Sequence, residues 1–540
     1  MLRKLSAIAA AFVLAGSIAA PAARAVDVHT ATDADITSAA ADAITITATV
    51  FQPAGSSADA QVPLLLHSHG WGGSRSTGVG SFQRYLDAGF GVLSFDQRGH
   101  GESGGEANVE DPDLEGQDVK AVIDFVAGLD WVEHNLVTNE NGDLVPDPDD
   151  PILGAIGGSY GGGYQTIGAL TEVRDTGKTR FDALAPEITW FDLPESLAPQ
   201  GVVRTAWTTL LYVGAKAGTS IPLWIDQALV YGAATGQWPD GTVPATGADG
   251  NLDKATNIDA VFHEHSPVAF VEDGIQLDIP ALIGQGATDT LFNLNQGIHN
   301  FEQTLTDSAR SKSVFVGYNS GHEVGAFVPG AAIGETLPQA NNGSANACFG
   351  DFTQTKIDFF TAAFAGLNPR QALGVPAYNL TTDADECLAL DALPTRAQST
   401  EFPIVPVSDV VPGWGTQSGA GAPVHYELAD GPITVAGIPR LEGDLFATPD
   451  ARAFFALSIG SDVTDARVIQ SNVMPLRAFP AGLGDGISIE LPGIAVEVPA
   501  GQKLFLTVSP VSDIFFGHAK TPGFIALGDM AVRVPVVANQ

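Results

Sequence analysis

The amino-acid sequence predicts an α/β protein that carries a helical insertion and ends in a β-sandwich, and three observations predict it. From Ile44 to about residue 394, short apolar runs alternate with helical stretches, the pattern of a parallel sheet covered on both faces. Between 190 and 273 that alternation gives way to a helical stretch rich in Trp, Tyr and Leu, with no strand pattern. Beyond 394 the runs have period two and are broken by Gly and Pro, as in a sandwich of short strands. At 540 residues the chain is too long for one ordinary core, which fits this division.

The elements follow in order. Arg3 and Lys4 precede the apolar run "LSAIAAAFVLAGSIAA", and Ala23, Arg24 and Ala25 form an A-x-A cleavage site. This is the pattern of a secretory signal, residues 1–25, and the run is short for a membrane span. The expected location is extracellular or periplasmic. "ITITATVF", "VPLLLHSHG" and "GFGVLSFD" read as strands of the first sheet segment, 26–189. In "DLEGQDVKAVIDFVAGL", Val119, Val122, Ile123 and Phe125 recur at helical spacing. "PILGAIGG" is a further strand, with a helix expected from about Tyr160. The helical cap, 190–273, follows. "IPALIGQG" and "KSVFVGY" are the later strands of the second sheet segment, 274–394, and 395–540 forms the sandwich.

The formal net charge is −37, and loss of the basic signal makes the remainder more acidic still. So acidic a surface repels nucleic acid and anionic membranes, and neither is an expected partner. Two cysteines, Cys348 and Cys387, in an exported chain favour one disulfide over two free thiols. The acidic stretch from Thr138 to Pro151 has oxygen ligands for Ca²⁺ but lacks the spacing and terminal Glu of a calcium loop, so it reads as a solvated surface loop. His263 and His265 lack the i, i+4 spacing of a zinc helix and read as structural or surface residues.

The chemistry is concentrated in "GAIGGSYGGGYQ". Gly157 to Gly161 fits G-x-S-x-G between a strand and a helix, the context of a nucleophile elbow around Ser159. A phosphate loop would need Gly-Lys-Ser/Thr, and a dinucleotide fingerprint would lie on the first strand. A serine hydroxyl needs a base. Asp289 in "IPALIGQGATDTLF" and His322 in "KSVFVGYNSGHEVG" follow later strands in the order Ser, Asp, His that such a fold requires. The oxyanion donors expected are the backbone N–H groups of Tyr160, next to the serine, and of Trp71 in "HSHGWGG". His69 reads as structural, and "DQRGHGESGG" as a scaffold turn in which Asp96 and Arg98 pair and His100 takes no catalytic part.

The first two thirds of the chain resemble α/β-hydrolases, and "GGSYGG", "DQRGHGES" and "LPGIAVEVPAGQKLFLTVS" resemble segments of the Xaa-Pro dipeptidyl-peptidase and cocaine esterase family. The resemblance implies an α/β-hydrolase sheet with an inserted helical cap and a C-terminal jelly-roll β-sandwich. It also implies Ser159, Asp289 and His322 as a triad. The esterase branch places a tyrosine hydroxyl on the early loop to hold the oxyanion. Here the comparable place is Trp71, so its backbone is the donor expected.

These readings predict a secreted serine hydrolase acting on a small ester or peptide through an acyl-enzyme, with no metal or organic cofactor. The cap aromatics Trp207, Tyr212, Trp224, Tyr231 and Trp238 are candidate substrate contacts, and they tilt the expectation towards esters. A dipeptidyl-peptidase would need carboxylates for the substrate's α-ammonium, for which Asp192, Glu195, Asp226 and Glu264 are candidates. Acyl transfer to an acceptor other than water differs only in the last step. A non-catalytic binding protein, attached through sandwich aromatics such as Trp414, Tyr426 and Phe515, is the other class.

Overall fold

A computed structural model describes residues 28–239, 257–323, 346–404, 410–412, 423–447, 451–471, 473–477, 483–510, 512–515 and 524–537. Residues 1–25, expected to be a signal, and Trp414 lie outside them. The strands of the N-terminal part are β1 (Thr30–Thr37), β2 (Thr45–Gln52), β3 (Leu64–Ser68), β4 (Gly91–Phe95), β5 (His134–Thr138) and β6 (Leu144–Pro151). β7 (Leu153–Gly158), β8 (Ala183–Glu187), β9 (Leu282–Gly286), β10 (Val314–Tyr318), β11 (Tyr378–Thr381) and β12 (Cys387–Leu390) complete them. Ten of these form one sheet in the order β1-β2-β4-β3-β7-β8-β9-β10-β11-β12. The run from β4 through β11 is parallel, whereas β1, β2 and β12 join antiparallel at the two margins.

The central strands are largely apolar because helices cover both faces. β4 is buried at every residue. On one face, α2 (Glu115–Ala127) turns Val119, Val122, Ile123 and Val126 inward at helical spacing. α1 (Gln83–Asp87) lies earlier in the chain, and α3 (Tyr160–Thr176) follows β7 directly. The opposite face is closed by the helix Phe352–Phe364, whose Phe359 and Phe360 are fully buried.

Between β8 and β9 come the cap helices α4 (Leu193–Leu197), α5 (Thr205–Gly218), α6 (Leu223–Thr235), α7 (Ile258–Glu264) and α8 (Pro267–Glu272). Asp192 caps α4 by accepting the Glu195 N–H, with Pro194 in the first turn, and Asn257 caps α7 in the same way. The C-terminal part folds as antiparallel sheets. One orders Thr400–Ile404, Phe524–Val534, Arg440–Ala447 and Leu483–Glu490; the other orders Val424–Asp430, Lys503–Ser509, Arg452–Gly460 and Arg467–Val468. Leu441 and Val532 from the first meet Phe455, Leu457 and Leu506 from the second in a common core. The expected fold class, an α/β-hydrolase sheet with a cap and a β-sandwich, is the one observed.

Three local expectations are corrected. The acidic stretch is not a loop: β6 pairs antiparallel with β5 in a two-stranded hairpin. Such a hairpin leaves outward-facing N–H positions that Pro146 and Pro148 can occupy, and Asn139 Oδ1 closes its turn by accepting the N–H of Asn141 and Asp143. Asp96 and Arg98 do not pair. Arg98, 1% exposed, binds Asp118 on α2 (Nε–Oδ2 2.8 Å) and Asp42 (Nη1–Oδ2 2.7 Å), while Asp96 holds Arg75 at 2.5 Å. Tyr426 and Phe515 are buried rather than offered to a surface. Cys348 and Cys387 are joined as a disulfide.

Candidate active site

β7 delivers Ser159 into a tight turn from which α3 departs. The serine has φ 59 and ψ −125, a conformation costly for a side-chain-bearing residue and therefore held by its surroundings. The turn is possible because its neighbours are glycine. A Cβ on Gly161 would overlap the carbonyl oxygen of Ser68, and Gly157, at φ 146, would strike Gly161. Ser159 is fixed by its N–H bond to the Glu187 carbonyl at 2.9 Å.

Asp289 follows β9 and is wholly buried. Its Oδ1 accepts the N–H groups of Leu291 (2.9 Å) and Phe292 (2.8 Å). Its Oδ2 accepts both the backbone N–H of His322 (3.0 Å) and the ring Nδ1–H (2.6 Å). That bond assigns the ring proton to Nδ1 and leaves Nε2 as an acceptor, 2.7 Å from Ser159 Oγ. Gly321, at φ 125, lets the chain pass the carboxylate closely enough for this; a Cβ there would meet Asp289 Oδ2. The rings of Phe292 and Trp207 stand edge-on to the imidazole at 5.2 and 5.6 Å. The structure thus brings Ser159, His322 and Asp289 into one hydrogen-bonded line.

The early loop lies against the serine: a Cβ on Gly70 would sit 3.8 Å from Ser159 Cβ. Trp71 and Tyr160 flank the nucleophile, their rings 5.2 Å apart. Among the described residues, no protein acceptor pairs with either backbone N–H. The Trp71 indole N–H is used elsewhere, on the Leu211 carbonyl of α5 at 3.1 Å. His69 is a scaffold group: its Nδ1–H meets the Gly70 carbonyl, and its Nε2 accepts the Gln97 N–H. Burial lowers the basicity of both rings and pushes His100 down to about 4.

The serine opens on a partly open apolar cavity. Trp71, Val109, Tyr160 and Trp190 form its sheet side, and Leu291 and Phe292 the side towards Asp289. The cap contributes Leu193, Leu197, Leu211, Ile225, Leu229 and Phe262. Among the described residues, no charged side chain lines it. The five cap aromatics expected at the substrate are not on this wall. Trp224 and Trp238 are buried against Phe262, Tyr212 lies under Lys216, Tyr231 is half-buried, and Trp207 backs His322. Leu211, Ile225 and Leu229 of the same helices face the cavity instead. Trp190 and Phe292 were missed, although each directly follows a sheet-strand region, where site residues collect.

The candidate ammonium carboxylates are elsewhere too. Asp192 and Glu195 line a separate polar cavity with His299 and Glu490. Asp226 pairs with Lys216, and Glu264 borders a third cavity beside Arg174. His263 pairs with Glu272 at the surface. Among the described residues no group of three or more His, Cys, Asp or Glu gathers as a metal site, and no helix is long and apolar enough to cross a membrane.

Comparison with known proteins places the fold and the family. Residues 42–318 match the model of the X-Pro dipeptidyl-peptidase (S15) family. A CocE/NonD family hydrolase from Staphylococcus aureus superposes with a TM-score of 0.61 at 12% identity, covering 94% of this chain and 97% of that one. An α-amino acid ester hydrolase gives 0.61 at 14% identity over 97% and 98%. At such identities the likeness is one of fold. The uncharacterized protein YcjY of Escherichia coli (strain K12) is 28% identical over 133 residues, 24% of this chain and only 38% of that relative. By its fold, and by a sequence match over half its length, this chain is an α/β hydrolase and belongs to the X-Pro dipeptidyl-peptidase (S15) family.

Proposed function

We propose that the chain is an exported serine hydrolase that cleaves carboxylic esters of uncharged acyl groups. The observation that carries this reading is the Ser159 hydroxyl, hydrogen-bonded to His322 and opening on a cavity whose described lining residues carry no charge. A substrate bearing an α-ammonium would leave that charge unpaired in an apolar site, which is costly. An aliphatic or aromatic acyl group loses only its hydration, which is favourable.

In the mechanism, His322 Nε2 takes the Ser159 proton as Oγ attacks the ester carbonyl. Asp289 stabilises the imidazolium that forms and fixes its orientation, already holding the ring and the backbone of the same residue. The Tyr160 and Trp71 N–H groups receive the oxyanion. His322 then protonates the leaving alcohol, and water reverses the sequence to release the acid. The disulfide supports export, because such bonds persist in oxidising compartments.

The test compares residues 26–540 with the Ser159→Ala variant on a neutral short-chain aryl ester and a Xaa-Pro anilide. The expected result is ester turnover abolished by the substitution. Anilide cleavage exceeding ester cleavage would move the assignment to a peptidase, and equal ester turnover in both proteins would remove Ser159 as the nucleophile.

A further inference from the structure

Thr290, the residue after Asp289, touches no part of the substrate cavity, yet it is 3% exposed and its polar atoms are all engaged. Its backbone N–H and its hydroxyl both donate to the His322 carbonyl, each at 3.0 Å. The same hydroxyl oxygen accepts the indole N–H of Trp207 at 3.0 Å. Its carbonyl accepts Arg204 Nη1–H at 3.0 Å. Arg204, 1% exposed, also donates from Nε to the Ser196 carbonyl at 2.7 Å. Its guanidinium lies 5.0 Å over the ring of Phe515, a residue of the C-terminal part.

These bonds form a chain of contacts from the sandwich, through the cap, to the backbone that carries the histidine. We propose that Thr290 is the positioning residue of His322, and that Trp207 and Arg204, seated on Phe515, hold it in register. The proposal rests on the reading of Ser159, His322 and Asp289 as the catalytic groups. Its physical basis is angular. The His322 side chain leaves a loop turned by Gly321, and two donors from one residue stop its carbonyl from rotating. Reacting groups displaced by even a fraction of an ångström lose much of their rate.

The experiment measures kcat and KM on a neutral aryl ester for the wild type, Thr290→Val, Thr290→Ser, Trp207→Phe and Ser159→Ala. Valine keeps the shape but removes the hydroxyl, so kcat should fall about 10- to 100-fold while KM stays within about twofold. Serine restores the hydroxyl and should return kcat to within about threefold of wild type. Should Thr290→Val fail to fold, Trp207→Phe removes the donor but keeps the ring, and kcat should fall about 3- to 10-fold. Wild-type kcat in the valine variant, an equal loss in the serine variant, or a change confined to KM overturns the positioning role. In those outcomes an inactive Ser159→Ala leaves the nucleophile standing. Turnover that survives in Ser159→Ala overturns the nucleophile reading, and this proposal with it.

Discussion

Asp289 Oδ2 grips His322 twice, at the ring Nδ1 (2.6 Å) and at the backbone N–H (3.0 Å), so one oxygen sets both the tautomer and the position of the loop. The other oxygen is occupied by two further N–H groups. An amide in this place would present an NH₂ group to donors at one of its two ends. Asp289→Asn is therefore expected to lower kcat by about three orders of magnitude or more. Steady-state kinetics on an aryl ester checks this; a loss below tenfold would show that the carboxylate does not act through the histidine.

The acyl cavity should reject charge introduced into it. Leu229 lies on its cap wall and is 5% exposed. Leu229→Glu is expected to reduce kcat/KM for neutral aryl esters by about tenfold or more, because a buried carboxylate costs several kcal/mol unless paired. Relative turnover of α-amino acyl esters should rise. Competition assays with matched acyl and aminoacyl esters decide this, and an unchanged preference would place the acyl group outside this cavity.

Stability should fall as the medium becomes alkaline. Burial, and then the neighbouring Asp118 carboxylate, push Glu115 from its ordinary 4.5 up to about 8. Burial also raises Glu110 well above its ordinary value, and no partner reaches its carboxyl oxygens among the described residues. The unfolded chain releases the Glu115 proton near 4.5 and the folded chain only near 8. Across that window the folded state holds the extra proton, so stability declines as pH rises. Thermal unfolding from about pH 5 to 8.5 should show Tm falling for the wild type and a shallower fall for Glu115→Gln. Parallel slopes in the two proteins would mean that Glu115 ionises in the folded chain as it does in the unfolded one.

The disulfide joins Cys348, just before the helix Phe352–Phe364, to Cys387 at the start of β12, a sequence separation of 39. Replacing both cysteines by serine is expected to cost about 4 kcal/mol at most on the chain-entropy account. Denaturant unfolding of the double variant measures it. No loss would show that the unfolded chain is already constrained in this region.

The sequence made the hydrogen-bonded line of Ser159, His322 and Asp289 legible because each group follows an apolar strand in the required order, and strands point their C-terminal ends at one edge of a parallel sheet. Ser159, Asp289 and His322 could be read without knowing what packs around them. The acyl wall could not. Trp207, Trp224 and Trp238 have the size to fill a substrate pocket, but large aromatics gain most by complete burial: Trp224 and Trp238 were drawn into the cap's own packing and Trp207 against His322 and Thr290. Leu211, Ile225 and Leu229 were left to face the cavity. Arg98 was misread for a related reason: Asp96 is near in sequence, whereas Asp118 and Asp42 are brought to it only by the fold. Local spacing carries periodicity, but it does not say which distant carboxylate arrives.

One apolar cluster contains Tyr160 beside the serine, Trp190 and the cap leucines, and also Phe454, Val468, Ile514 and Phe515 from the C-terminal part. The Ala206 N–H reaches the Ile514 carbonyl across that junction at 3.1 Å. A ribosome that has just completed His322 has thus made every reacting group but not the surface against which the cap settles. Hydrolytic competence in a nascent chain should arrive only when the region around Phe515 has emerged. A protease that trimmed that end would silence the enzyme without cutting near its serine.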